Sequence, residues 1–168
     1  YVSRETGGAS GRVLGAANGQ NWLMGYEGGR RDRFLFGSGW VYEDGPSSDT
    51  APHLYAATIP GPGQDSTVYA EGIQLASNQR GMEGPNNLEL NGYNNGDERS
   101  DCEISEVLVY HRILSSDELL LVGGYLATKY GFTASILSFG TNVTRSSAVI
   151  DGPVGGAATI AWNVPYGT

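Results

Sequence analysis

The sequence predicts an all-β, antiparallel sandwich with one helix behind its last strand. Three observations point there. Glycine and proline contribute 26 and 7 of the 168 residues, about a fifth against roughly 12% in ordinary chains. Short strands joined by tight turns use such residues; long helices cannot. Runs of β-branched and aromatic residues recur with turn-formers between them, a spacing that favours a sandwich over alternating strands and helices. Ten tyrosines and three tryptophans argue against disorder, because a chain that buries nothing rarely carries so many.

Taken in order, 1–5 reads as a strand, turned by Gly7, Gly8 and Gly11 into a second at 12–16. The apolar runs 22–26 and 33–37 flank Glu27, Gly28, Gly29 and Arg30, a hairpin signal, and 39–43 follows at once. The stretch 44–52 is rich in Gly, Pro, Ser and Asp, so it belongs on the surface. A strand at 53–59 is stopped by Pro60-Gly61-Pro62-Gly63, and 66–71 and 73–76 fold back on each other at Gly72. A short strand at 87–90 precedes the polar loop 91–100.

The organising stretch comes next. Residues 102–111 alternate, with Ile104, Glu106, Leu108 and Tyr110 on one side and Ser105, Val107, Val109 and His111 on the other, which predicts a central strand. The period then changes. Ser115 stands three residues before Glu118, the spacing of a capping box, and Leu119, Val122, Leu126 and Tyr130 recur on one helical face. Lys129 in the last turn and Gly131 beyond it close an amphipathic helix of about four turns. Gly123 and Gly124 inside it cost about 2 kcal/mol in propensity, so close approach of helix to sheet is expected there.

The stretch E-V-L-V-Y-H-R-I-L-S-S-D-E-L, followed by G-Y-L-A-T-K-Y-G, resembles the closing strand and trailing helix of the laminin-G-like modules of large bacterial secreted proteins. These belong to the concanavalin A-like lectin and glucanase superfamily. The likeness is tight over about 30 residues and looser back to Tyr1. It implies a jelly-roll sandwich over 1–132, with further strands ahead of the segment that matches Tyr1, used for binding in an extracellular or cell-surface protein. The implied partner is a polysaccharide or a cell-surface or matrix partner. Composition shifts after Gly131, and 133–168, with strand candidates near 136–139, 148–150 and 157–164, reads as a linker and the start of a following β-rich module. Asn142-Val143-Thr144 matches a glycosylation sequon, which a bacterial source would leave unmodified.

Charge narrows the function. Eighteen acidic against ten basic groups give a net charge of −8, which repels phosphate backbones and argues against nucleic acid. Arg30, Arg31 and Arg33, interrupted by Asp32, read as a solvated turn. No apolar run approaches the ~20 residues of a membrane span. One cysteine, Cys102, allows no intrachain disulfide, and His53 and His111 stand too far apart for metal-ligand spacing. Neither has a triad context, and no G-x-S-x-G elbow occurs.

Three constellations remain. Asp101, Glu103 and Glu106 form D-x-E-x-x-E, close to the E-x-D-x-x-E of the superfamily's glucanases, where a retaining reaction needs two carboxylates about 5 Å apart. Strict alternation puts Glu106 on the face opposite Asp101 and Glu103 unless a bulge intervenes, and a structural role is the expectation. The loop from Asn91 to Glu98, with Asp97 and the nearby Asp101, offers hard oxygen donors for a possible calcium ion, as do Asp44 and Asp49. Trp40, Tyr42, Tyr55 and Tyr93 offer flat faces to sugar rings, with Asn94 and Asp97 beside them for hydroxyl groups. The reading is a non-catalytic binding or adhesion module, with a structural spacer and a glycoside hydrolase as alternatives.

Overall fold

The structure, a computed structural model, describes residues 1–17, 20–37, 39–84, 87–94 and 96–132; the expected second module at 133–168 lies outside them. The described residues form ten strands and one α-helix: β1 (Val2–Glu5), β2 (Arg12–Ala16), β3 (Trp22–Gly25), β4 (Arg33–Phe36), β5 (Trp40–Tyr42), β6 (His53–Thr58), β7 (Ser66–Ala70), β8 (Ile73–Asn78), β9 (Leu88–Leu90), β10 (Cys102–Glu106) and α1 (Ser116–Tyr130). They make two five-stranded sheets, β10-β1-β6-β7-β8 and β5-β4-β3-β2-β9. Every paired strand in both sheets is antiparallel.

The sheets face each other across one apolar layer. Trp22, Met24, Phe34 and Phe36 come from the second sheet and Tyr55, Val68 and Ala70 from the first, all in one buried cluster. Phe34 meets the Tyr55 ring edge-on at 6.1 Å, and Trp22 stacks on Phe36 at 5.6 Å, geometries that aromatic quadrupoles favour. The turn joining β7 to β8 has Glu71 at φ 52° and Gly72 at φ 76°. Two consecutive positive φ values give the primed turn whose twist suits a hairpin.

The organising strand differs from its expectation in two ways. It is an edge strand rather than a central one, and it ends at Glu106 rather than at residue 111. Pairing explains both. Its neighbour β1 runs opposite it from Glu5↔Cys102 to Val2↔Glu106, with an irregularity between Val2 and Ser3 that leaves Ser105 as the extra residue. No described strand continues the ladder past Glu106.

The helix matches its sequence signals closely. Glu118 N–H donates to Ser115 Oγ at 3.3 Å while Ser115 N–H donates to Glu118 Oε2 at 2.9 Å. Gly131 takes φ 77° and its N–H donates to the Ala127 carbonyl. Leu126 packs against Val2 and Leu54 in a second buried cluster edged by Val122, Tyr130 and Phe132. Tyr1 and Tyr55 belong to the inter-sheet layer, so alternation places Val2 and Leu54 on the outer face of the first sheet, and α1 is a third layer there. Gly123 is buried, as a close approach requires, but nothing lies within 4 Å of a Cβ added at Gly124.

Two substitutions follow from this packing, both read by urea unfolding. Leu126→Ala should cost about 2–5 kcal/mol, as for other buried leucines. Gly124→Ala should stabilise by up to about 1 kcal/mol, and a loss there would contradict the open space beside that glycine.

Candidate functional site

The three acids of the D-x-E-x-x-E motif are each held by a structural partner. Asp101 Oδ2 accepts from the Ala9 N–H at 2.9 Å, and Glu103 pairs with Arg4 Nε at 2.8 Å. Glu106 accepts from Lys129 Nζ at 3.0 Å, Tyr130 OH at 3.0 Å and Tyr125 OH at 3.2 Å. The bulge that strict alternation lacked is present, and it turns Glu106 toward the helix on the outer face. A general acid needs a raised pKa. Here the Arg4 hydrogen bond holds Glu103 below its ordinary range, and the Lys129 hydrogen bond, then Tyr130 and Tyr125, hold Glu106 down.

Two of the four expected aromatic residues share a face, and two do not. Tyr55 is 1% exposed and belongs to the core, stacked on Tyr1 at 5.0 Å. Tyr42 is half-buried against the same core. Their inward direction removes both from any surface platform. Trp40 lies under the Arg33 guanidinium, 4.1 Å from its ring centre, and Tyr93 lies under the Arg12 guanidinium, also at 4.1 Å.

Register explains why these pairs share a face. Arg12 stands opposite Gly25, and Gly25 opposite Arg33, so both arginines point outward from the second sheet, two strands apart, across a glycine. Roughly 10 Å separates their strands at ~4.8 Å per strand. Leu35, on the Arg33 face of β4, pairs with Trp40. The outer face therefore reads Tyr93, Arg12, Gly25, Arg33, Trp40.

Arg12 anchors that row. Its side chain is 5% exposed, and it donates to Glu98 Oε2 at 2.6 Å, the Trp22 carbonyl at 2.6 Å and Asn21 Oδ1 at 2.9 Å. Those partners supply what a buried guanidinium needs. They also fasten the loop 91–100 over β2, where the Gly92 carbonyl sits so close to Gly15 that any Cβ there would collide with it. Tyr93 and Asp97 exchange two 2.9 Å backbone hydrogen bonds, and the side chains of Asn94 and Asp97 are exposed there. Asp97 is thus brought beside Tyr93, whereas Asp101 is tied to the β1–β2 connection. Among the described residues no group of three or more His, Cys, Asp or Glu side chains is arranged to hold a metal ion.

Sequence reasoning missed two features. One is a cavity of about 210 Å³ between the sheets and α1, lined by Trp22, Met24, Tyr55, Val107, Leu119 and Val122 among others. The other centres on His53. Its Nδ1 lies 3.0 Å from Glu71 Oε1 and its Nε2 lies 2.9 Å from Asp49 Oδ1, with Arg31 NH1 2.8 Å from Nδ1. Only the folded chain unites residues 31, 49, 53 and 71; their spacing carries no motif.

Burial opposes the charge on His53, but the hydrogen bonds to Glu71 and Asp49 outweigh both burial and the Arg31 repulsion, and its pKa is raised. The doubly protonated ring therefore stabilises the fold fully below the ordinary histidine range near ~6.5, and that contribution is lost as pH rises through the raised folded value. Between pH 6 and pH 9 the buried N-terminal amine, its pKa lowered by burial to about 6, adds stability with rising pH in parent and variant alike. The His53 contribution is therefore read as a difference: the urea midpoint of the parent should drop more, or gain less, than that of His53→Gln. Equal slopes would remove His53 as the cause.

No family model, no curated protein and no solved structure matches this chain.

Proposed function

We propose that this chain is a laminin-G-like jelly roll serving as a non-catalytic binding or adhesion module, for a polysaccharide or surface partner, within a larger secreted bacterial protein. The jelly-roll reading is supported by nested pairing, in which β1 and β2 of opposite sheets pair with β10 and β9 respectively. The binding reading is carried by the outer row of the second sheet. Trp40 and Tyr93 are half-buried rings, each fixed by a stacked guanidinium. A ring already held in one orientation loses little freedom when a sugar face stacks on it, and Asn94 and Asp97 offer polar atoms beside Tyr93.

One observation favours the spacer reading instead: each guanidinium covers one face of its ring, and Arg12 is fully engaged within the fold. Retention on immobilised polysaccharides distinguishes the two. Trp40→Ala and Tyr93→Ala should each weaken retention about tenfold or more, as loss of an aromatic anchor does elsewhere. Unchanged retention in EDTA is expected, because among the described residues no group of three or more His, Cys, Asp or Glu side chains is arranged to hold a metal ion. A parent that binds nothing on the panel, or variants that match it, would favour the spacer.

A further inference from the structure

His53 has a carboxylate at each ring nitrogen. Glu71 Oε1 lies 3.0 Å from Nδ1 and Asp49 Oδ1 lies 2.9 Å from Nε2, so both contacts are hydrogen bonds only when both nitrogens carry protons. A neutral ring has one donor and one acceptor, and whichever nitrogen is bare sets its lone pair against a carboxylate. Arg31 does not remove that conflict. Its NH1 is 2.8 Å from Nδ1 and 3.2 Å from Nε2, near-equal distances that place it over the ring face rather than in line with either lone pair.

The two carboxylates differ in what else holds them. Glu71 belongs to the turn between β7 and β8, its side chain is 26% exposed, and the same Oε1 accepts from the Leu54 N–H at 3.1 Å. The Asp49 side chain is 46% exposed and accepts from the Ala51 N–H, two residues on, at 2.8 Å. It also faces Arg31 Nε at 3.6 Å, too far for a hydrogen bond. Water therefore takes Asp49 at less cost than Glu71. The connection that carries Asp49 is fixed as far as Ser48 by backbone bonds that do not titrate: Arg31 N–H donates to the Pro46 carbonyl at 3.1 Å and Ser48 N–H to the Gly29 carbonyl at 3.0 Å. From Asp49 to Pro52 every residue is exposed.

We propose that His53 is a pH-operated clasp for 49–52: the doubly protonated ring ties Asp49 to the turn between β7 and β8, and loss of the Nε2 proton to solvent frees Asp49 while Nδ1–H stays on Glu71. The groups around the ring are Asp49 from the connection after β5, Glu71 from the turn after β7, and Arg31 and the buried Asp32 from the segment before β4. Tyr55 of β6 stands 6.0 Å away and is kept neutral by burial, and Ser3 of β1, opposite His53, carries no charge. Burial and Arg31 oppose the ring's charge, the two carboxylates favour it, and the balance is upward. The clasp is therefore closed below the ordinary histidine range near ~6.5 and opens as pH rises through the raised folded value. It is independent of the polysaccharide reading, which rests on the second sheet's outer row.

Nitrogen NMR of the imidazole in the full chain, with backbone relaxation on the same samples, tests this. Across the His53 midpoint the ring should change from two protonated nitrogens to Nδ1–H alone, and order parameters at Thr50 and Ala51 should fall from the rigid range near ~0.85 to below ~0.6. Asp49→Asn, at an exposed position, should abolish that fall, because an amide accepts from Nε2–H and, turned over, donates to bare Nε2. Tracking the His53 midpoint separates the event from titration of the buried N-terminal amine, whose pKa is lowered to about 6. Order at Thr50 and Ala51 that ignores the His53 titration overturns the proposal, as does a neutral ring protonated on Nε2. An Asp49→Asn chain that loosens like the parent, or a ring that never titrates while the chain is folded, overturns it too.

Discussion

Both sheets depend on one layer of side chains. Phe34 and Phe36 from β4, and Tyr55 from β6, are among the most completely buried residues, and Trp22, Met24 and Val68 fill the space around them. Each large apolar side chain contributes on the order of 1.5–3 kcal/mol on leaving water. The layer also fixes register, since a slip by one residue would carry each strand's apolar set to the opposite face. With the inner faces committed, the outer faces are free to differ. One receives α1 through Val2, Leu54 and Leu126; the other carries the arginine and aromatic row.

That row shows how a loop becomes part of a surface. Arg12 lies in a strand with every residue buried, where an unpaired guanidinium would be costly. Its three hydrogen-bond partners come from Glu98, Trp22 and Asn21, and Tyr93 lies under its plane. The charge thus ties 91–100 to β2, and the loop presents Tyr93 in a fixed place. Without a side chain at Gly15 the loop can lie directly on the strand. Stability and the candidate binding face depend on the same contacts here, so a binding assay on Arg12 variants would confuse the two, whereas Trp40 stacks on Arg33 and takes no part in them.

What the sequence disclosed depended on how local each cause is. The capping box at Ser115 and Glu118, the left-handed Gly131 and the turn at Glu71-Gly72 are decided within a few residues, and each was legible. The strand order was not, because the edge position of β10 depends on where β1 lies. Aromatic residues on strands look alike in sequence, yet a half-turn of the pleat separates the buried Tyr55 from the surface Trp40. The His53 cluster and Arg12 were illegible for a related reason: their partners are up to 86 residues away in the chain.

The end of β10 joins these themes. Sequence alternation continues to residue 111, but a strand is defined by a neighbouring backbone, and the extra residue Ser105 comes where β1 reaches Val2. A bulge bends the strand and increases its twist, which swings Glu106 onto the outer face, where Lys129, Tyr125 and Tyr130 close around it. The contact that secures the helix to the sheet therefore also marks where the ladder breaks. Beyond it the chain retains its β-prone side chains but has left the sheet. Strand propensity and strand structure part at one residue because the first belongs to the side chains and the second to the hydrogen bonds available.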